Sequence, residues 1–204
     1  MNVTLGFKSH SGWAVMVAIA SKKTGPELIA RLRIELIEEG ELWAKQPYHA
    51  AENLKPDEAR DVVKKGIESA RRVARRQMRD CVSRLGKSGH RIAGCAVLIP
   101  ESMPDWNTDE ILAVHFRMHK AEGVLFPDAL CKAAAACNLP LLAIREKQLD
   151  KIAEKELGVP FDRIVETISD LRKSIGPPWG KDHRQATLAA MIALTRNLIV
   201  TWPK

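Results

Sequence analysis

The sequence predicts an α/β fold built on a mixed sheet of five strands. Three observations carry that expectation. Three strand-like runs separated by short turn signals occupy the start of the chain, as in an antiparallel meander. Two further strand candidates then alternate with amphipathic helices, the pattern of parallel pairing. The run from Ile92 to Ile99 is almost continuously apolar between Gly89 and Pro100, which suits a strand covered on both faces.

The first strands are expected from Val3 to Lys8, from Trp13 to Ala20 and from Ile29 to Ile37. In the third, Ala30, Leu32, Ile34 and Leu36 alternate with Arg31, Arg33 and Glu35, so one face is wet. The Ser-Gly and Thr-Gly-Pro-Glu breaks between them are short enough for hairpins. Residues 41–55 read as an irregular connector holding Trp43, Pro47 and Tyr48. Pro56-Asp57-Glu58 then opens a long helix, with proline and acids where a helix N-terminus favours them. Val63, Ile67, Ala70, Ala74, Met78, Cys81 and Leu85 form its apolar stripe, and Gly86 closes it.

Asn107-Thr108-Asp109-Glu110 resembles a capping box and starts a helix expected to run to about Glu122. Gly123 and Pro127 should interrupt it before a second, alanine-rich helix ending near Asn138. The fifth strand is expected from Leu139 to Ile144, followed by helices over 147–157 and 161–175. The loop Gly176-Pro177-Pro178-Trp179-Gly180 leads into a last apolar helix over about 183–198.

At 204 residues and 46% hydrophobic, the chain can fill one core and is read as a single domain, 1–204. A formal charge of +7 and a sequence pI near 9.4 make an acidic partner such as nucleic acid plausible. Cys81, Cys95, Cys131 and Cys137 lie in apolar contexts without CxxC spacing, so they read as core residues in a reducing compartment. No basic-then-apolar leader is legible, and the run from Trp13 to Ala20 is too short to span a bilayer. A soluble cytoplasmic protein with no membrane contact is expected.

Four segments carry a family resemblance. LGFKSHSGWAV, GCAVLIPES, HKAEGVLFPDALCKAAAACNLPLLAI and GKDHRQATLAAMIAL, in this order, resemble the RuvC-type Holliday-junction resolvases of the ribonuclease H-like superfamily. The resemblance implies helices on both faces of the sheet, a homodimer, and nucleic acid, possibly branched DNA, as partner. It places Glu101 at the carboxylate after the fourth strand and Asp182 at the first acid of the last helix. His183 would be a ligand or water-activating group, as some resolvases use a histidine in this helix. The chain departs from the family at two points: Lys8 stands near the first-strand Asp, and Gln185 stands where a further acid is expected.

Two-metal cleavage needs clustered carboxylates to neutralise the cations, and a lysine repels them. The resemblance therefore implies Mg²⁺ or Mn²⁺ if the protein is an active nuclease and no cofactor otherwise. In the first case Glu101 and Asp182 would hold the ion, and His10 in the first turn could take the place of the missing acid as a ligand for Mn²⁺ or Zn²⁺, imidazole being a poor ligand for Mg²⁺. Each residue has a plainer reading: Glu101 as a solvated loop residue, His10 as a polar turn residue, and Asp182 with Gln185 as a capping box.

His115 and His119, with Glu122 one turn on, could face a metal together. They lack a nameable third ligand and read as an exposed pair. Lys8, Arg71, Arg75, Arg79 and Lys181 are the candidate phosphate contacts, although acids interleave the arginine-rich helix and can neutralise it. Trp43, Tyr48, Trp106 and Trp179 could stack bases. No phosphate loop or acyl-transfer motif is present. Three functional readings follow: a nucleic-acid-binding domain with an altered site, a divalent-metal-dependent nuclease, and a homo-oligomeric interaction domain without a nucleic-acid role.

Overall fold

The computed structural model describes residues 1–23 and 25–198. Strands β1 (Asn2–His10), β2 (Trp13–Lys22) and β3 (Gly25–Glu35) form the expected meander, and β4 (Arg91–Ile99) and β5 (Leu141–Arg145) complete the sheet. The spatial order is β3-β2-β1-β4-β5. The β1/β2 and β2/β3 pairs are antiparallel, and the β1/β4 and β4/β5 pairs are parallel. Gly12, at φ 87°, closes the turn between β1 and β2, where a side chain would be strained.

Helices cover both faces, which explains why β2 and β4 are apolar nearly throughout. One face packs on α2 (Pro56–Lys87) and α4 (His115–Ala136), enclosing Leu5, Phe7, Met16, Ile34, Val97 and Phe126. The other packs on α5 (Leu149–Leu157), α6 (Phe161–Ile175) and α7 (Lys181–Leu198), enclosing Val15, Val17, Ile19, Ala96, Ile144 and Ile168. A third cluster joins α1 (Pro47–Ala51) and α3 (Thr108–Leu112) to α2 and α4 through Tyr48, Val63, Ile111 and Met118.

The alternation along β1 fixes which side chains can reach the functional edge. Leu5 and Phe7 face α2 and α4. On the opposite face Thr4 Oγ1 donates to the Ala190 carbonyl of α7 at 2.8 Å. A Cβ on Gly6 would stand 1.9 Å from the Ala186 carbonyl oxygen and 2.7 Å from Ala190 N. Glycine is therefore required there because the backbone of α7 lies directly on β1.

Several boundaries differ from the sequence expectation. β3 begins at Gly25, pairing with Lys22, and not at Ile29; Thr24 of that break lies outside the described residues. The connector is ordered into a short 3₁₀ turn, Leu42–Lys45, and α1. The capping box at Asn107 and Glu110 is present, with bonds of 2.8 and 2.9 Å, but its helix ends at Leu112.

Gly123 and Pro127 lie inside one continuous α4. The Pro127 ring forfeits a hydrogen bond, and burial of Leu125, Phe126, Ala129 and Leu130 against the sheet outweighs the loss. α5 starts at Leu149 after a 3₁₀ turn over Glu146–Gln148, and α7 starts at Lys181.

Candidate functional site

The parallel strands β1, β4 and β5 end at the same edge of the sheet, where open α/β sheets place their ligand crevices. Lys8 lies near the end of β1 on the face covered by α7. Its ammonium meets Glu146 Oε2 at 2.6 Å, directly after β5, and the Lys8 side chain is only 14% exposed. Gln185 of α7 donates from Nε2 to the other oxygen of Glu146 at 3.3 Å. The Gln185 Oε1 is buried without a hydrogen-bond partner among the described residues. Burial raises the Glu146 carboxyl, but the Lys8 hydrogen bond and charge, together with Gln185 and Lys181, outweigh it and hold the group below its usual range.

Glu146 is the residue that sequence reading missed. Its signal was available: an acid immediately following a strand paired in parallel stands at the edge where sites form. What could not be read locally is that Lys8, 138 positions earlier, neutralises it.

Glu101 lies two residues beyond β4 and helps line a cavity of about 690 Å³ with Glu146, Lys181, Arg184 and Gln185. Its carboxylate is half-exposed and stands 3.9 Å from Arg145. Lys181, Gln185 and Leu188 recur at helical spacing along the α7 face that borders this cavity.

Asp182 is rotated about 100° from Lys181 around the helix and does not line the cavity. Its carboxylate instead meets His10 Nε2 at 3.0 Å. His10 stacks on Trp13 with ring centroids 4.5 Å apart, and Arg33 covers the Trp13 ring at 3.9 Å. The structure thus brings His10 to Asp182, as a shared site would need, while Lys8 pairs with Glu146 instead.

The capping box expected from Asp182 and Gln185 does not form. Asp182 lies within the first turn of α7, and Gln185 is turned to Glu146. The Gly180 N–H instead donates to His183 Nδ1 at 3.2 Å. Burial and the nearby Arg31 guanidinium lower the His183 pKa against the opposing pull of Asp182. An acceptor Nδ1 places the ring proton of the neutral form on Nε2. Arg31 also ties the entering loop down, donating to the carbonyls of Gly176 and Pro178.

These donors do not fit a two-ion centre. The ammonium of Lys8 is bound to Glu146, and Asp182 is turned to an imidazole, so the carboxylates at this edge are not free to cluster around two cations. Of the two carboxylates expected to hold an ion, Asp182 is paired with His10, and Glu101 has Arg145 at 3.9 Å; Asp150 also lines the cavity.

The arginine-rich side of α2 lies on the opposite helical layer, away from this edge. Arg71 pairs with Asp128, and Arg72 and Arg76 pair with Glu38. Arg75 and Arg79 line a shallow groove of about 520 Å³ with these residues. Much of the basic stripe is therefore neutralised by partners that are distant in sequence.

The four aromatics do not form a platform. Tyr48 is buried, Trp106 lies beneath Arg117, and Trp179 stacks near His183. The cysteines are free thiols, and burial pushes Cys95 up to about 12 and Cys81 and Cys131 up to about 11, values of unreactive core groups. His49 of α1 joins His115 and His119, supplying the third imidazole that sequence reading did not identify.

The mixed sheet, its strand order and its two helical layers define a ribonuclease H-like α/β fold. The chain is similar to the RuvC structure of Thermus thermophilus, with 11% identity and a TM-score of 0.51 over 99% of each chain. It is also similar to T. thermophilus RuvC in complex with Holliday junction substrate, with 13% identity and a TM-score of 0.50 over 100% of each chain. At such identities the similarity establishes the fold. No protein-family model matches the chain, and neither does any curated protein sequence. Among the described residues no helix is long and apolar enough to cross a membrane.

Proposed function

We propose that this chain is a ribonuclease H-like domain that binds nucleic acid along the C-terminal edge of its parallel strands and has lost two-metal cleavage. The observation that carries the reading is the Lys8 ammonium held 2.6 Å from Glu146. It supplies internally the positive charge that a metal would bring, and it repels a second cation from the same place. Lys181 and Arg184 beside the cavity offer cations to a phosphate backbone. The net charge of +7 favours the same partner. The neighbouring fold whose structure contains a Holliday junction makes branched DNA the first probe to use.

The experiment is a titration with labelled four-way junction, duplex and single-stranded DNA at two salt concentrations, with and without Mg²⁺ or Mn²⁺, followed by denaturing gels. The expected result is salt-sensitive binding without cleavage, weakened in Lys181→Glu. Each lost phosphate contact reduces the logarithmic salt slope by about 0.9 for duplex DNA.

A second reading rests on the 3.0 Å approach of His10 to Asp182. In it Asp182 and His10 come together with Glu101, with which they share no cluster as they stand, to hold a single Mn²⁺, with His183 as a further ligand or water-activating group. Metal-dependent cleavage that disappears in Glu101→Gln would establish that reading and overturn the first. Absence of binding to all three DNAs would overturn both and leave a protein-interaction domain.

A further inference from the structure

We propose that His49, His115 and His119 form a Zn²⁺ site, distinct from the Lys8 and Glu146 pair. His115 and His119 occupy successive turns at the start of α4, a spacing that puts both imidazoles on one side of a helix. Their Nε2 atoms stand 3.1 Å apart. Two nitrogens bound to one tetrahedral Zn²⁺ at its usual bond length are separated by about 3.3 Å, so the pair is already close to a ligand geometry.

The third imidazole comes from α1. Tyr48 and Ala51 of that helix pack with Met118 and Ala121 of α4 in one apolar cluster, and this packing carries His49 to the pair. Its ring centroid is 5.0 Å from that of His115 and 4.7 Å from that of His119. One ligand nitrogen from each of the three histidines lies within 4.8 Å of the others.

One carboxylate orients a ring, and a second lies near another. Glu122, one turn after His119 and 5% exposed, stands 2.7 Å from His49 Nδ1 and accepts the His49 backbone N–H at 3.1 Å. With Nδ1 engaged, Nε2 is the nitrogen left for an ion. Glu52 Oε1 lies 3.5 Å from His115 Nδ1 and favours the same arrangement.

A carboxylate, histidine and metal in series is the usual second shell of a zinc site. It also accounts for Glu122, since a buried carboxylate is costly unless a cation balances it. Three neutral imidazoles with an open fourth position suit Zn²⁺ and not Mg²⁺, which prefers oxygen. The fourth position opens toward solvent, because His115 and His119 are exposed, and water is the simplest ligand to fill it. His119 also lines the cavity that contains Glu101, which places the ion at the cavity rim.

The test uses the full chain, freed of metal with a chelator and titrated with Zn²⁺ against a chromophoric competitor at neutral pH. One ion should bind per chain. Co²⁺ in its place should give visible bands of a nitrogen and oxygen site, without the thiolate charge-transfer band that the cysteines would produce. His115→Ala and His119→Ala, at exposed positions that leave the core intact, should each weaken binding about 100-fold. Glu122→Gln should weaken it about 10–100-fold by loosening His49. No saturable binding in the micromolar range, or binding unchanged in both histidine variants, would overturn the proposal.

Discussion

Replacing Lys8 by Met removes the cation at the centre of the functional edge and leaves a chain of similar length. At 2.6 Å the gross attraction between unit charges is about 6 kcal/mol for an effective dielectric of 20. Desolvation of Lys8, whose side chain is 14% exposed, offsets much of this. Water also screens Glu146, whose side chain is 34% exposed. The pair lies between exposed pairs, worth at most about 1 kcal/mol, and buried ones, which cost about 3–5 kcal/mol to break, so a coupling of about 2 kcal/mol is expected. A double-mutant cycle of Lys8→Met and Glu146→Gln, read by urea unfolding, measures it.

The pH dependence adds an independent check. The folded Glu146 carboxyl lies below its unfolded value. Its stabilising contribution is therefore complete above the unfolded pKa and is lost as pH falls through the folded one. Without Lys8, burial is opposed only by Gln185 and Lys181, and the carboxyl rises. The stability gap between Lys8→Met and the parent should be largest at neutral pH and shrink in acid. A coupling under about 0.5 kcal/mol, or a gap independent of pH, would refute the account of this pair.

Gly6→Ala places a Cβ 1.9 Å from the Ala186 carbonyl oxygen, so α7 must shift off β1; a loss of about 3 kcal/mol or more is expected in urea unfolding, and a loss below about 1 kcal/mol would mean that the helix yields easily. Asn107→Ala removes the side-chain acceptor of the α3 capping box and should cost about 1 kcal/mol by thermal or urea unfolding. His183, whose pKa burial and Arg31 lower, should titrate below the ordinary histidine value by NMR. Because its folded pKa is depressed, the stability associated with it is present above the unfolded pKa and lost as pH falls through the folded one, and His183→Gln should flatten stability across that interval.

The short-range features were legible because short-range physics makes them. Alternation over Ala30 to Glu35 and the apolar run from Ile92 to Ile99 forecast strands that exist. The capping pair Asn107 and Glu110 forecast a helix start. The Gly123 and Pro127 break was misplaced because local propensity alone cannot weigh the burial of Phe126 and Leu130, which keeps α4 continuous.

By itself the sequence determined the kind of element at most positions, the basic charge, and the presence of a lysine, Lys8, in the first strand. Only the tertiary structure decided what Lys8 meets. The parallel placement of β5 beyond β4 and the rotation of α7 bring Glu146 and Gln185 to it, while turning Asp182 to His10. The same holds for His49, which reaches His115 and His119 because α1 packs on α4. Periodicity reports which side of an element is buried, whereas the identity of the neighbour across the contact depends on strand order and helix rotation, set by the packing of the whole core.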